Sequence, residues 1–196
     1  MKAPRLRFTA LVAALIVLAA GLYLRHAHSV TAARELSMSE AQRILLAAAR
    51  EGETDLVIGL VRAGTPVETR DGRGFTALTL AAYHGHEETV RCLLAAGADA
   101  CAEDGRGNTA LMGAAFKGYA SVVKLLLERP CAVDQANRVG QTALMFARLF
   151  GRSEVAQLLE NAGASAKRRD ASGRSAQDWA ATQGMASPIA SGTPAR

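Results

Sequence analysis

Three chemical signatures are missing from this sequence: a Cys-x-x-Cys pair, a Gly-x-Ser-x-Gly elbow, and a glycine-rich loop closed by Lys-Ser or Lys-Thr. Their absence removes the usual thiol-redox, serine-hydrolase and phosphate-cradling readings. Aromatic residues are also scarce, at 5% with a single Trp, which argues against a core built around large rings and for short helices packed closely through small side chains. Three cysteines in 196 residues are too few for a disulfide framework. No nucleophile has a recognisable partner, so the expectation is a protein without catalytic activity and without a cofactor.

Against these absences stands a strict period. Gly74, Gly107, Gly140 and Gly173 are spaced 33 residues apart, and each lies two positions ahead of Thr76, Thr109, Thr142 and Ser175. The same register carries Ala77, Ala110, Ala143 and Ala176, then Leu78, Leu111 and Leu144, then Ala81, Ala114, Ala147 and Ala180, then Gly85, Gly118, Gly151 and Gly184. One period upstream, Leu45, Ala48 and Gly52 fall in place. A leucine pair follows at Leu93-Leu94 and Leu126-Leu127, and Gly64, Gly97 and Gly163 close the unit. Self-similarity at this length means stacked identical units.

Each recurring residue has a physical role. The hydroxyl residue supplies a side-chain oxygen to cap a short helix. The alanines let a neighbouring helix approach, and the glycine after them takes the left-handed conformation that ends the helix. A second helix carries an apolar stripe of leucines. A polar excursion such as Asp99 to Gly107 then leads to the next unit. The last unit has a capping-box pattern in Ser175 and Asp178, and Pro130 stands where the other units end their second helix with glycine, so that end must be built differently.

The run Gly74-Phe75-Thr76-Ala77-Leu78-Thr79-Leu80-Ala81-Ala82-Tyr83-His84-Gly85-His86, followed by Leu93-Leu94-Ala95-Ala96-Gly97-Ala98-Asp99, resembles the ankyrin repeat family over Met38 to about Gly184. The family pattern has proline after the capping Thr, and every unit here has Ala. The resemblance implies an all-α solenoid of helix-turn-helix units with β-hairpin-like loops, four repeats plus a partial C-terminal one over residues 38–184. It also implies a concave face lined by the first helices and the excursions. The positions of this chain that fall there are Arg73, Phe75, Tyr83 and His84; Arg106, Asn108, Phe116 and Lys117; Arg138, Gln141, Leu149 and Phe150; and Arg174. Arg50 and Glu51 fall there one unit earlier. Aromatics interleaved with Arg have the composition of interface hot spots, and Tyr83, Phe116 and Phe150 together read as a partner-contact surface, whereas Phe146 reads as core in the position of Leu80.

The first 28 residues are a different kind of object. Lys2, Arg5 and Arg7 precede an uncharged stretch from Phe8 to Leu24, closed by Arg25. Its 17 residues lie between a signal-peptide core and a membrane span, so both a cleaved signal and a retained inner-membrane anchor stay open. Either would place the repeats in the periplasm, with residues 29–37 as a tether and 185–196 as a disordered tail. Four of the 23 cations lie in this leader, leaving 19 against 18 acidic residues, a balance that argues against nucleic acid as a partner. The expectation is a monomer that binds another protein of the cell envelope as chaperone, scaffold or inhibitor. The alternative is a metal- or haem-handling protein using His84 and His86, with Cys101 or Cys131, or with His26 and His28 near the apolar stretch. Cys92 reads as a small buried apolar residue. Cys101 and Cys131 lie in the excursions of adjacent units, where an oxidising compartment permits a bridge; their difference of three positions within the period argues against one, toward Cα atoms beyond the roughly 7 Å limit, and the sequence leaves the pairing open.

Overall fold

A computed structural model of the protein describes residues 40–184, and the leader and C-terminal tail lie outside the described residues. Nine helices occur among the described residues: α1 (40–51), α2 (Thr54–Arg62), α3 (Ala77–His84), α4 (Glu87–Ala95), α5 (Ala110–Lys117), α6 (Ala120–Leu127), α7 (Ala143–Leu149), α8 (Ser153–Asn161) and α9 (Ala176–Gly184). They alternate between two layers. The inner layer runs α3, α5, α7, α9, each packed on the next, and the outer layer runs α2, α4, α6, α8 in the same way. The result is the expected all-α repeat solenoid.

Local chemistry sets the inner helices. The buried hydroxyls of Thr76, Thr109 and Thr142 accept the backbone N–H three residues on, from Thr79, Met112 and Met145, so each helix begins with one otherwise orphaned donor satisfied. Thr79 returns a second bond, its hydroxyl accepting the N–H of Thr76 at 2.8 Å. Ala77, Ala81, Ala110, Ala114, Ala143 and Ala147 are buried almost completely, and their small side chains allow neighbouring helices to meet. The outer helices contribute Leu93, Leu126 and Leu159, all buried in one continuous core. No buried side-chain nitrogen or oxygen among the described residues lacks a hydrogen-bond partner.

The outer helices end in two ways. After α2, α4 and α8 the backbone turns through Gly64, Gly97 and Gly163 at φ +96, +89 and +92°. The next residue then donates back to the helix: Thr65 to Leu60, Ala98 to Leu93, Ala164 to Leu159, at 2.9–3.0 Å. This is the glycine-dependent cap of a helix C-terminus. Pro130 cannot take positive φ, so α6 stops a residue earlier and Cys131 donates only to the Arg129 carbonyl, at 2.7 Å.

At that same junction the structure corrects the sequence expectation. Cys101 and Cys131 form a disulfide, with Cα atoms 5.6 Å apart. The reason is visible in neighbouring junctions. Glu68 and Asp134 occupy the same repeat position as Cys101, and their carboxylates accept the N–H of Asp99 and Ser165, 31 residues ahead. Across a stack, the nearest neighbour of a position is therefore not its own repeat equivalent but a residue two or three places before it. The disulfide takes the place of this staple where the glycine cap is missing. Cys92 is half-buried rather than buried, and Phe146 is also only partly buried, packed against the core with its ring nearly perpendicular to that of Phe116.

Candidate functional site

The excursions are built on a feature absent from the sequence expectation. Asp71, Asp104, Asn137 and Asp170 follow the same 33-residue period, and in each the side-chain Oδ1 accepts the backbone N–H of the residues two and four places on. The period alone would have revealed them. These bonds fold each excursion into a tight finger, and the fingers are stitched to each other: Gly105 N–H donates to the Arg73 carbonyl at 2.8 Å, Arg138 N–H to Arg106 at 3.1 Å, and Ala171 N–H to Val139 at 2.9 Å. Isolated antiparallel bridges pair Arg70 with Thr76 and Arg169 with Ser175, so the fingers have hairpin character without forming a regular sheet.

This turns the acidic groups inward and leaves the arginines outside. Arg73, Arg106, Arg138 and Arg174 are all exposed at the fingertips. Arg73 lies 3.7 Å from the Asp71 carboxylate and its guanidinium sits over the half-buried Phe75 ring, 4.9 Å from the centroid. Arg174 lies over Trp179 at 4.5 Å. The Asn137 side-chain amide donates to Asn108 Oδ1 in the neighbouring finger at 2.9 Å and to Gln141 Oε1 in its own at 3.3 Å. At the last finger, burial opposes ionisation of Asp170. Bonds from the Ser172 side chain, the Arg174 N–H, the Trp179 indole and the Ser172 N–H outweigh it and hold the carboxyl below its ordinary 3.8.

At the opposite margin of the inner layer, the last turns of α3, α5 and α7 bring together an aromatic tier. Tyr83 and Phe116 are one period apart and stack with centroids 5.9 Å apart and planes 12° from parallel. Phe150 meets Phe116 edge-on at 4.4 Å. Lys117 places its ammonium over Tyr83 at 4.7 Å and reaches Phe116 at 5.7 Å, geometry for cation–π attraction. Tyr83 and Phe150 remain 38% and 40% exposed, whereas Phe116 between them is half-buried. Gly113, one period on from Leu80 and before Phe146, lacks the side chain present there, and even a Cβ would stand 3.5 Å from the Tyr83 ring. Leu149 is half-buried on the same turn as Phe150.

His84 is exposed beside Tyr83, its imidazole held below the ordinary 6.5 by partial burial and by His86, Arg50 and Lys117, with Glu51 pulling the other way. His86 is occupied differently: its Nε2 pairs with the Arg50 carbonyl at 2.8 Å while the ring covers Gly52. The two imidazoles lie parallel with centroids 6.2 Å apart. Among the described residues no group of three or more His, Cys, Asp or Glu is placed to hold a metal ion. Cys101 and Cys131 have no free thiol to offer one, and His26 and His28 lie outside the described residues.

A family model described as ankyrin repeats (3 copies) matches residues 44–137 of the chain and again 111–189. Among curated proteins no match is found. No helix among the described residues is long and apolar enough to cross a membrane, and residues 8–24 are not among those described.

Proposed function

This chain belongs to the ankyrin repeat family, and on that premise we propose that it is a binding module of the cell envelope which takes a partner protein on the face formed by its inner helices and fingers. Ankyrin repeats are generally protein–protein interaction modules on a non-catalytic fold. The observation that carries the finer reading is the aromatic tier. Tyr83 and Phe150 keep more than a third of their surface in water, and Lys117 sets its charge over Tyr83 and Phe116. Large rings flanked by cations are what interface hot spots are made of.

The envelope location rests on the cationic leader, which favours a cytoplasmic N-terminus with export of the repeats behind it, and is supported by a disulfide of the kind that persists in oxidising compartments. The protein would there chaperone, scaffold or inhibit its partner, either tethered to the inner membrane or released from it. A reporter active only in the cytoplasm, fused after Gly184, should be silent; activity would sink the export reading.

The binding reading is tested by crosslinking in intact cells with identification of the captured protein. Tyr83→Ser combined with Phe150→Ser should abolish capture with the parent's helical content retained, the melting temperature falling by what the two ring contacts to Phe116 contribute. Equal recovery from the double variant and the parent would remove the aromatic tier from the interface.

A further inference from the structure

The two margins of the inner face differ in chemistry, and the difference specifies the partner. The inner helices α3 and α5 are eight residues long, about 12 Å, so the fingertips and the aromatic tier are opposite edges of one face and a single partner surface can cover both. Neighbouring repeats pack roughly 8–10 Å apart, so Arg73, Arg106, Arg138 and Arg174 form a row of about 30 Å. That span suits a macromolecule, not a small ligand.

The row is cationic because of how the fingers are built. Asp71 and Asp104 stand two residues before Arg73 and Arg106, and Asp170 four before Arg174, and their Oδ1 atoms are engaged by backbone N–H groups. Asn137 does the same task without a charge. Arg106 and Arg138 have exposed guanidinium groups with no ion-pair partner among the described residues. Acids stand in the first turns of the outer helices, at Asp55, Glu87, Glu88 and Glu154, and in the excursions too, where they are engaged within the stack: Glu68 accepts the Asp99 N–H, Asp99 the Cys101 N–H, Glu103 the Gln135 amide and Asp134 the Ser165 N–H. The charged groups without an ion-pair partner at the fingertips therefore include Arg106 and Arg138.

We propose that the partner is a protein whose contact surface carries a row of carboxylates beside an apolar side chain, the carboxylates meeting Arg106 and Arg138 and the apolar group seating against the exposed parts of Tyr83 and Phe150. This rests on the binding reading above and adds the partner's chemistry to it. Two exposed guanidinium groups held on stitched fingers without an ion-pair partner among the described residues are suited to bidentate pairing with carboxylates. A partner without acids would bury these charges uncompensated. Charge complementarity of this kind governs encounter rate and selects against wrong partners.

The test uses the full chain in its own cells with a photo-crosslinking phenylalanine in place of Val139, which is 53% exposed beside Arg138, or in place of Tyr83. The crosslinked peptide is then sequenced. Both probes should capture one protein, the stretch attached at position 139 should carry more Asp and Glu than Lys and Arg, and Arg106→Glu with Arg138→Glu should cut its yield at least tenfold with the melting temperature unchanged. A neutral or basic stretch, an adduct to nucleic acid or to a second copy of this chain, or a yield indifferent to the charge reversal would overturn the inference. Capture from position 83 without capture from 139 would overturn the acidic partner and leave the binding reading standing; capture from neither would overturn both.

Discussion

Replacing both Cys101 and Cys131 with Ser isolates the one covalent link in the stack. The bridge spans 30 residues. The entropy removed from an unfolded chain by closing a loop of that size corresponds to roughly 3–4 kcal/mol at 25 °C. For a domain near 150 residues, each kcal/mol shifts the melting temperature by about 2–4 °C, so the variant should melt on the order of 10 °C below the oxidised parent. The loss should also be local. The junction after α6 has no glycine cap because Pro130 occupies its place, and the neighbouring junctions keep hydrogen-bonded staples through Glu68 and Asp134. Amide hydrogen exchange should therefore accelerate most around Glu128–Asp134, and the weakening should reach units on both sides since each repeat rests on its neighbours. Circular dichroism melts of oxidised, reduced and double-Ser protein, with thiols counted in each, provide the assay. Coincident melts of oxidised and reduced protein, or three titratable thiols in the protein as isolated from its native compartment, would refute the reasoning.

The packing and the C-terminal cap set three further outcomes. Leu126→Ala should destabilise by about 2–5 kcal/mol, as for a fully buried leucine, and an unchanged melt would show that the repeat register is wrong. Gly85→Val should be worse than a helix-cap change alone, because φ is +81° and a Cβ there would lie 2.8 Å from the Tyr119 ring; a folded, soluble variant with the parent's melting temperature would contradict this. Asp170 and Asp178 both have carboxyls held below their ordinary 3.8, Asp170 by the Ser172, Arg174 and Trp179 bonds acting against burial, Asp178 chiefly by the Ser175 N–H and hydroxyl. A depressed carboxyl stabilises the fold above its unfolded value, and that contribution fades as pH falls through the folded one. The C-terminal cap should accordingly hold from neutral pH to about 5 and loosen below about 4, read as a shift of Trp179 fluorescence. Constant emission down to pH 3 would remove the cap from the acid response.

Much of this architecture was legible because the period repeats the same solution. Thr76, Thr109 and Thr142 cap as their position predicted, Ser175 and Asp178 form the expected box, and Pro130 altered its helix end. Geometry between repeats was less legible. Comparing Cys101 with Cys131 by position within the period ignored the displacement between neighbouring units, which Glu68 with Asp99 makes plain. Side-chain environment was the other gap. Phe116 and Phe150 both appeared open from their positions, but Phe116 lies among Tyr83, Phe146 and Phe150, so truncating it would disturb packing as well as any contact. Glu160, on an outer helix, is bonded to Arg148 at 2.6 Å, a pairing twelve residues apart that the repeat period does not announce, whereas Gln157 on the same helix is exposed.

Hydroxyl-radical footprinting of the full chain, alone and with its captured partner, tests most directly whether binding uses this face. Protection should fall on Tyr83, Phe150 and the fingertip residues from Arg73 to Arg174, with Gln157 and the other exposed positions of α4, α6 and α8 unchanged. Protection of the outer helices, with Tyr83 and Phe150 still reacting at their free rates, would contradict the account.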